Sequence, residues 1–386
     1  MAMRTQIRKI GRKIALAMNS LELAKKLTCS LSERIGISGY EHSLHAELKS
    51  LFELMQTETY TDMMGNFYAV KSGKPFYPPQ SQASGQLNPG SERKQIMLAA
   101  HSDEIGLMVT YIDNRGFLHF TPIGGIDQRT LLYQEVIVFG KEPLIGIVCR
   151  VAANKDIPDS KDKQPLEAND LAIDIGCSFE TASLKVKPGD IAGIRRSPSL
   201  LLNERLAGKA LDDRAGIVIM AVCLNELQKL KHAHDIVAVA TVQEEVGLRG
   251  AQTSSERLMP MLAVAIDVTH AQTLDTKSTV ATELGKGPVL SLGPNIHPWV
   301  IERLKDAARE NRIPYQIQAV PGATGTDARI IQLTGCGIPT ALLSVPLRYM
   351  HTSVETVALS DIVDSGRLLA RFIAALPDDL EDALCS

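Results

Sequence analysis

Ile96-Met97-Leu98-Ala99-Ala100-His101-Ser102-Asp103 is the stretch from which the fold unfolds outward. Five consecutive apolar residues are too short for a helix and read as a buried strand that ends at His101. Side chains two apart on a strand share a face, so His101 and Asp103 point to the same side. The strand end therefore presents an imidazole and a carboxylate together, at the place where α/β sheets carry their ligands.

Upstream, residues from about Ser20 to Met55 read as helical, with Leu23, Leu27, Leu31 and then Leu48, Leu51 and Leu54 at helical spacing. The helical pattern breaks at the turn signal Gly36-Ile37-Ser38-Gly39. Asp62 to Asn66 reads as a tight turn feeding a strand from Phe67 to Val70. Residues 72 to 94, rich in Pro, Ser, Gly and Gln, read as an exposed loop. Downstream, from about Tyr111 to Asn203, short strand-like runs such as Glu135 to Phe139, Ile145 to Val151 and Leu171 to Ile175 replace any long helical period. From Asp212 the pattern alternates again. A helix to about Leu230, strands Ile236 to Val242 and Leu262 to Ile266, a helix from Trp299 to Asn311, a strand from Pro339 to Ser344 and a helix from Ser360 to Ala375 follow. The alternation predicts an α/β fold with helices on both faces of a sheet. Residues 20–110 and 205–380 then form a discontinuous body, and residues 111–204 form an inserted all-β module. Residues 1–19 are a basic extension with no acid before Glu22.

Composition narrows the function. Of 386 residues, 45% are hydrophobic and 22% charged, with a net charge of −3 and both signs dispersed, which favours neither nucleic acid nor an acidic membrane. Aromatics, at 4%, are too sparse for a base-stacking platform. No apolar run is long enough to span a bilayer, and Ile14 to Met18 is too short for a secretory signal. The six cysteines, Cys29, Cys149, Cys177, Cys223, Cys336 and Cys385, are scattered without a CxxC pair and read as small buried hydrophobes in a reducing, cytoplasmic compartment.

Acids and histidines stand where the predicted strands end: His101 with Asp103, Asp212-Asp213, Glu244-Glu245, Asp267 and His351. Imidazole with carboxylate suits zinc, cobalt or manganese and needs no thiolate. Asp103 can hold the His101 ring from behind while the other ring nitrogen meets a metal. Asp212, read as opening a helix, sits where a carboxylate is favoured and can bridge two cations. Adjacent carboxylates at Glu244-Glu245 repel unless one is a ligand and the other shares a proton. Two ions close together lower the pKa of a bridging water and polarise a carbonyl, and a free carboxylate then moves the proton to a leaving amine. Singly, each residue has a plainer reading as a cap, a solvated surface acid or a loop-edge hydrogen-bonding group; the ordered set is what points to hydrolysis.

With these stretches in view, the chain resembles the metal-dependent aminopeptidases that include glutamyl aminopeptidases and the tetrahedral, dodecameric (TET) aminopeptidases. The matching segments are residues 101–108, 208–216, 242–251, 265–268 and 349–351, with weaker matches at 36–41 and 325–328. The resemblance runs from about residue 20 to about 375. It implies an α/β/α sandwich of the phosphorylase/hydrolase-like kind with an inserted small β-barrel or PDZ-like dimerisation domain. It implies two divalent ions, zinc or cobalt foremost. His101, Asp212 and Asp267 would ligate one, Asp212 would bridge, Glu245 and His351 would complete the second, Glu244 would be the general base, and Asp103 would orient His101. Short peptides would be the substrates, and a dimer-built homo-oligomer, up to a dodecamer, the assembly. The loop at 72–94 and the basic extension depart from the family's pattern without touching a proposed ligand.

Two alternatives stand beside this. Dinuclear deacylases and carboxypeptidases share a similar ligand series, but in that group the extra domain follows the paired glutamates, whereas here the long gap lies between Asp103 and Asp212. A non-catalytic assembly homologue would keep the fold and lose ligands; here all five ligand positions and Glu244 are intact. Arg329 and Arg348 are the cations that could read an acidic first side chain.

Overall fold

Four strands that are apolar along almost their whole length can be satisfied only by burial on both faces, and they form the centre of the molecule. The computed structural model describes residues 19–74, 95–151, 167–274, 276 and 282–385. The basic extension before residue 19 and residues 75–94 of the expected loop lie outside the described residues.

Along the chain come β1 (Glu58–Thr61), β2 (Phe67–Lys71) and β3 (Gln95–His101), then β4 (Gly106–Ile112), β5 (Leu118–Ile123), β6 (Glu135–Phe139), β7 (Pro143–Arg150), β8 (Leu171–Asp174) and β9 (Ile191–Ile194). There follow β10 (Ser199–Leu201), β11 (Arg205–Gly208), β12 (Asp235–Thr241), β13 (Leu262–His270), β14 (Val289–Leu292), β15 (Gln316–Ala319), β16 (Thr340–Leu347) and β17 (Glu355–Ala358). Eight of them make one sheet in the order β1-β2-β12-β3-β13-β16-β14-β15. Its middle, β12-β3-β13-β16, is parallel, so four strand ends face the same way. Thr241 pairs in register with His101, and Asp267 with Ser344.

Helices cover this sheet. Helix Leu211–Glu226 is buried around its whole circumference and packs on β3, β13 and helix Leu359–Ala374. The two helices approach closely at Gly366, where a Cβ would lie 2.6 Å from Val222. Helix Arg249–Leu258 packs on β12 and β3, and the short helix Ala328–Ile331 on β13 and β16. Helix Ser20–Glu33 starts where the Asn19 side chain accepts from Glu22 N at 2.8 Å.

The strands of the middle segment close into a barrel, β4-β5-β8-β7-β6-β9, with its own apolar core around Leu107, Leu118, Val136 and Val148. It starts at Gly106, ahead of the expected 111, because Leu107 and Val109 already alternate into that core. It is not purely β: helix Phe179–Lys185 belongs to it. The hairpin β10–β11 lies across the boundary drawn at residues 204 and 205 and pairs with β17, not with the barrel. Of the cysteines expected to be buried, Cys223 is, Cys29, Cys149 and Cys177 are half-buried, and Cys336 is exposed. Among the described residues no helix is long and apolar enough to cross a membrane.

Candidate metal centre

The parallel register delivers the expected residues to one end of the sheet. His101 ends β3, Glu244 and Glu245 follow β12, Asp267 lies near the end of β13, and His351 follows β16. Asp267 is inside its strand, which runs on to His270 instead of stopping at Ile266. Asp212 comes from the loop after β11. It does not open a regular helix turn: its φ of −81° and ψ of 103° are extended, and Asp213 is also non-helical. The helix-terminus rationale for Asp212 is thereby replaced by a loop that turns its carboxylate into the site.

Asp212 is the centre of the arrangement. Its Oδ1 lies 3.0 Å from His101 Nε2, and its Oδ2 lies 3.2 Å from His351 Nε2. Glu245 Oε1 is also 3.2 Å from His351 Nε2. Three donor triads result, His101–Asp212–Asp267, Asp212–Glu245–His351 and His101–Glu244–Glu245, each with its ligand atoms within 4.8 Å of one another. Glu244 belongs only to the last of them, its Oε2 4.0 Å from His101 Nε2. A cleft of about 530 Å³ opens over these groups, walled further by Leu248, Val268, Thr269, Met350 and Arg329. Arg329 has no ion pair among the described residues, whereas Arg348 donates to the Gln272 carbonyl at 2.7 Å and does not line the cleft.

The two histidines are each held from behind. His101 Nδ1 faces the Asp103 carbonyl at 3.2 Å, with the Asp103 carboxylate at 3.5 Å. The shorter bonds of that carboxylate go elsewhere: it accepts from Ser38 Oγ at 2.6 Å, Glu244 N at 3.0 Å and Glu245 N at 3.2 Å. Asp103 thus seats the paired-glutamate loop as much as the His101 ring. His351 Nδ1 meets the Gly125 carbonyl at 2.7 Å, so a barrel loop orients this ring. Its neighbour Gly124, at φ 78°, leaves no room for a side chain against Ile105. Non-glycine residues with left-handed backbone, Ala210, Gln243, Leu248, Tyr349 and His351, surround the centre. Backbone held in that region is the local cost of aiming several side chains at one point.

The electrostatics show what the centre lacks. Burial, reinforced by the Asp267, Asp327 and Glu245 charges against a pull from His101, pushes Glu244 up to about 10. Burial and the Asp212 charge raise both Glu245 and Asp267. Asp213, raised by burial and by Asp267, keeps Oδ2 buried with no hydrogen-bond partner. Bonds to Asp212 and Glu245 push His351 up to about 11, and bonds to His101 and His351 hold Asp212 below its usual value against burial. Two imidazoles are too little positive charge for this many buried carboxylates. The donor set and the excess of acid fit divalent cations.

Several acids in this region were not assigned roles from sequence. Asp213 carries a signal in the Asp-Asp pair, and Asp327 in the Gly325-to-Ala328 segment; Asp327, pushed up to about 6 by burial, accepts from Thr241 Oγ1 at 2.6 Å. Glu41 accepts from Gly39 N at 2.8 Å and Gln243 N at 2.9 Å. Glu355 accepts from Leu211 N, Asp212 N and His351 N. Its only trace in the sequence is an acid entering an apolar strand.

Comparison with known proteins follows the same line. Residues 85–368 match the M42 glutamyl aminopeptidase family. The lysyl aminopeptidase of Pyrococcus furiosus is 33% identical over 361 residues, which cover 92% of this chain and 97% of that one. An aminopeptidase from the archaeon Desulfurococcus kamchatkensis superposes with a TM-score of 0.83 at 34% identity, covering 95% of this chain and 99% of its own. The TET1 peptidase of Pyrococcus horikoshii, which can assemble into a tetrahedron or a large octahedral shell, superposes with a TM-score of 0.75 at 30% identity, covering 92% and 99%.

Proposed function

Since this chain belongs to the M42 glutamyl aminopeptidase family, we propose that it is a dinuclear metalloaminopeptidase that removes the first residue from short peptides. The observation that carries the reading is Asp212, whose two oxygens face two different imidazoles and join two donor triads. His101, Asp212 and Asp267 would hold one divalent ion, and Asp212, Glu245 and His351 the other. The ions, zinc or cobalt foremost with manganese also admitted by the donors, would supply Lewis acidity at the scissile carbonyl and ease removal of a proton from water.

The chain's own residues carry the rest. Glu244 takes a proton from the attacking water as its oxygen bonds to the carbonyl carbon. The same carboxyl returns a proton to the amide nitrogen as the C–N bond breaks, so the leaving amine departs neutral. Asp103 does not touch the substrate; it fixes the backbone of Glu244 and Glu245 and the ring of His101. An acid-rich cleft favours a substrate end that brings positive charge, as a free α-amino group does and an acetylated one does not. Arg329, the cation of the wall with no ion pair among the described residues, is the group that meets an acidic first side chain.

The barrel supports self-association. It exposes Tyr133, Ile145, Ile147, Phe179 and Leu184 to solvent, apolar side chains that a contact between copies would cover. A dimer-built oligomer, of the tetrahedral kind seen in the Pyrococcus horikoshii relative, is the assembly proposed. The scattered free cysteines fit a reducing compartment such as the cytoplasm.

The test is hydrolysis of an aminoacyl-p-nitroanilide panel by chelator-stripped protein, with zinc or cobalt restored and N-acetylated controls alongside. Metal-dependent cleavage of free-amine substrates alone is expected. Cleavage of the acetylated set would move the assignment to the deacylase group, and no cleavage at all to an assembly role.

A further inference from the structure

We propose that Glu355 is a positioning residue that locks Asp212 and His351 to one another, so that a single buried carboxylate sets the geometry of one metal position. The inference rests on the two-metal reading above. Glu355 opens β17 opposite Gly208 of β11 and is only 2% exposed. Its Oε2 accepts from Leu211 N at 2.7 Å and from Asp212 N at 3.1 Å. Its Oε1 accepts from His351 N at 2.8 Å.

The two segments so joined are far apart in sequence and reach the site from different sheets. One follows β11; the other follows β16. Both pass through left-handed backbone, at Ala210 with φ 53° and at His351 with φ 61°. Their amides point away from any ladder, and buried N–H groups must find an acceptor. A carboxylate is the one side chain that accepts on both oxygens and donates from neither. Glu355 therefore serves three donors at once, and in doing so it fixes the distance between two ligands that share a cation.

Glutamine at this position cannot do the same. Its one oxygen is best used where two N–H groups converge, at Leu211 and Asp212. The amide nitrogen then faces His351 N–H, donor against donor. Glu355→Gln should thus free the His351 segment and leave Asp212 seated. A merely structural residue would weaken both metal positions alike.

The experiment is a cobalt titration of the metal-free chain against a chelating indicator, for the unsubstituted protein and for Glu355→Gln. The expected result is two tight equivalents for the former. The variant should retain one and lose about 10- to 100-fold in affinity for the other, the usual effect of removing a group that orients a ligand. Its metal-free melting temperature should stay close to that of the unsubstituted chain. Two equivalents of unchanged affinity would overturn the proposal, as would equal weakening of both with a lowered metal-free melting temperature. No cobalt uptake by the unsubstituted chain would instead remove the metal reading, and this inference with it. Amide exchange on the unsubstituted, metal-free chain is independent of whether the variant folds. Slow exchange at Leu211, Asp212 and His351 together supports the lock, and fast exchange at any of the three refutes it.

Discussion

Glu104→Gln removes one charge from the ground on which the candidate metal centre stands, with almost no change of volume. Glu104, Lys209 and Arg214 are 3%, 2% and 0% exposed. Lys209 Nζ donates to both Glu104 oxygens, at 3.0 and 2.8 Å, and Arg214 Nη2 lies 3.4 Å from Oε1. Gly36 N donates to the same Oε1 at 2.9 Å. Burial lowers the pKa of both cations, and the Glu104 charge is the first counterweight for each. Once that charge is gone, Lys209 keeps the Arg34 carbonyl at 2.7 Å, and Arg214 keeps the Ser102 and Leu31 carbonyls at 2.7 and 2.9 Å. Carbonyl dipoles do not replace a full charge, and breaking a buried pair from one side costs about 3–5 kcal/mol. The assay is urea unfolding of the metal-free chain, comparing midpoints at unchanged slope. A thermodynamic cycle sharpens it. Lys209→Met in the Glu104→Gln background removes one of the two stranded cations, so the double variant should recover part of the loss, with a coupling of about 1 kcal/mol or more. A single-variant cost below about 1 kcal/mol, or strict additivity in the cycle, would refute the triad as a charge-balanced unit.

The remaining predictions concern chemistry. Glu244→Gln should keep both metal equivalents and lose about 10²- to 10⁴-fold in turnover, whereas Asp212→Ala should lower occupancy at both positions; full occupancy of the latter by elemental analysis would reject the bridge. In the metal-free chain His351 is pushed up to about 11 by Asp212 and Glu245, and Glu244 up to about 10 by burial. The His351 pairing thus contributes stability that is present below the ordinary imidazole pKa and is lost as pH rises towards about 11. A divalent ion must displace such protons, so affinity should rise between about pH 6 and pH 8 and uptake should acidify a weakly buffered solution; pH-independent binding would count against it. Arg329→Ala should lower kcat/KM for acidic first residues about tenfold relative to neutral ones, the scale of one hydrogen bond to a charged group, and an unchanged ratio would remove Arg329 from the specificity wall.

The sheet and the convergence of acids and histidines at its end were legible because both follow short-period rules. Ile96 to Ala100 and Ile236 to Val242 are runs that only a doubly covered strand can bury, and a strand has one end at which His101 or Glu244 must emerge. Asp62 and Gly65 marked their turn for an equally local reason: Asp62 Oδ1 accepts from Met64, Gly65 and Asn66 N, and Gly65 has φ 99°. Edge strands were not legible. Gln316–Ala319 and Glu58–Thr61 are half-exposed and mixed in polarity, so nothing in their composition separates them from loop. The barrel boundary was misplaced for a related reason: Gly106 to Val109 follows the His101-to-Glu104 turn without a linker, so no change of composition marks the passage from one core to the next.

What composition and spacing could not reveal is who accepts the backbone of the ligand loops. Side-chain ligands announce themselves by type, since imidazole and carboxylate at strand ends have few other uses in concert. An acceptor for a distant N–H can be any buried acid, and its partner is set by how the chain closes in space. Glu41, Asp103 and Glu355 are such acids: Asp103 and Glu355 each receive at least two backbone N–H groups from segments that carry or adjoin a candidate ligand, and Glu41 receives one, from Gln243. They also crowd further carboxyls beneath the cluster, where burial raises Glu41 and pushes Glu355 up to about 8. Left-handed, ladder-free loops are what let these side chains converge, and the amides those loops strand require buried acceptors, which Asp103 and Glu355 supply. The left-handed backbone at Ala210 and His351 and the acids beneath it are in this way consequences of one another.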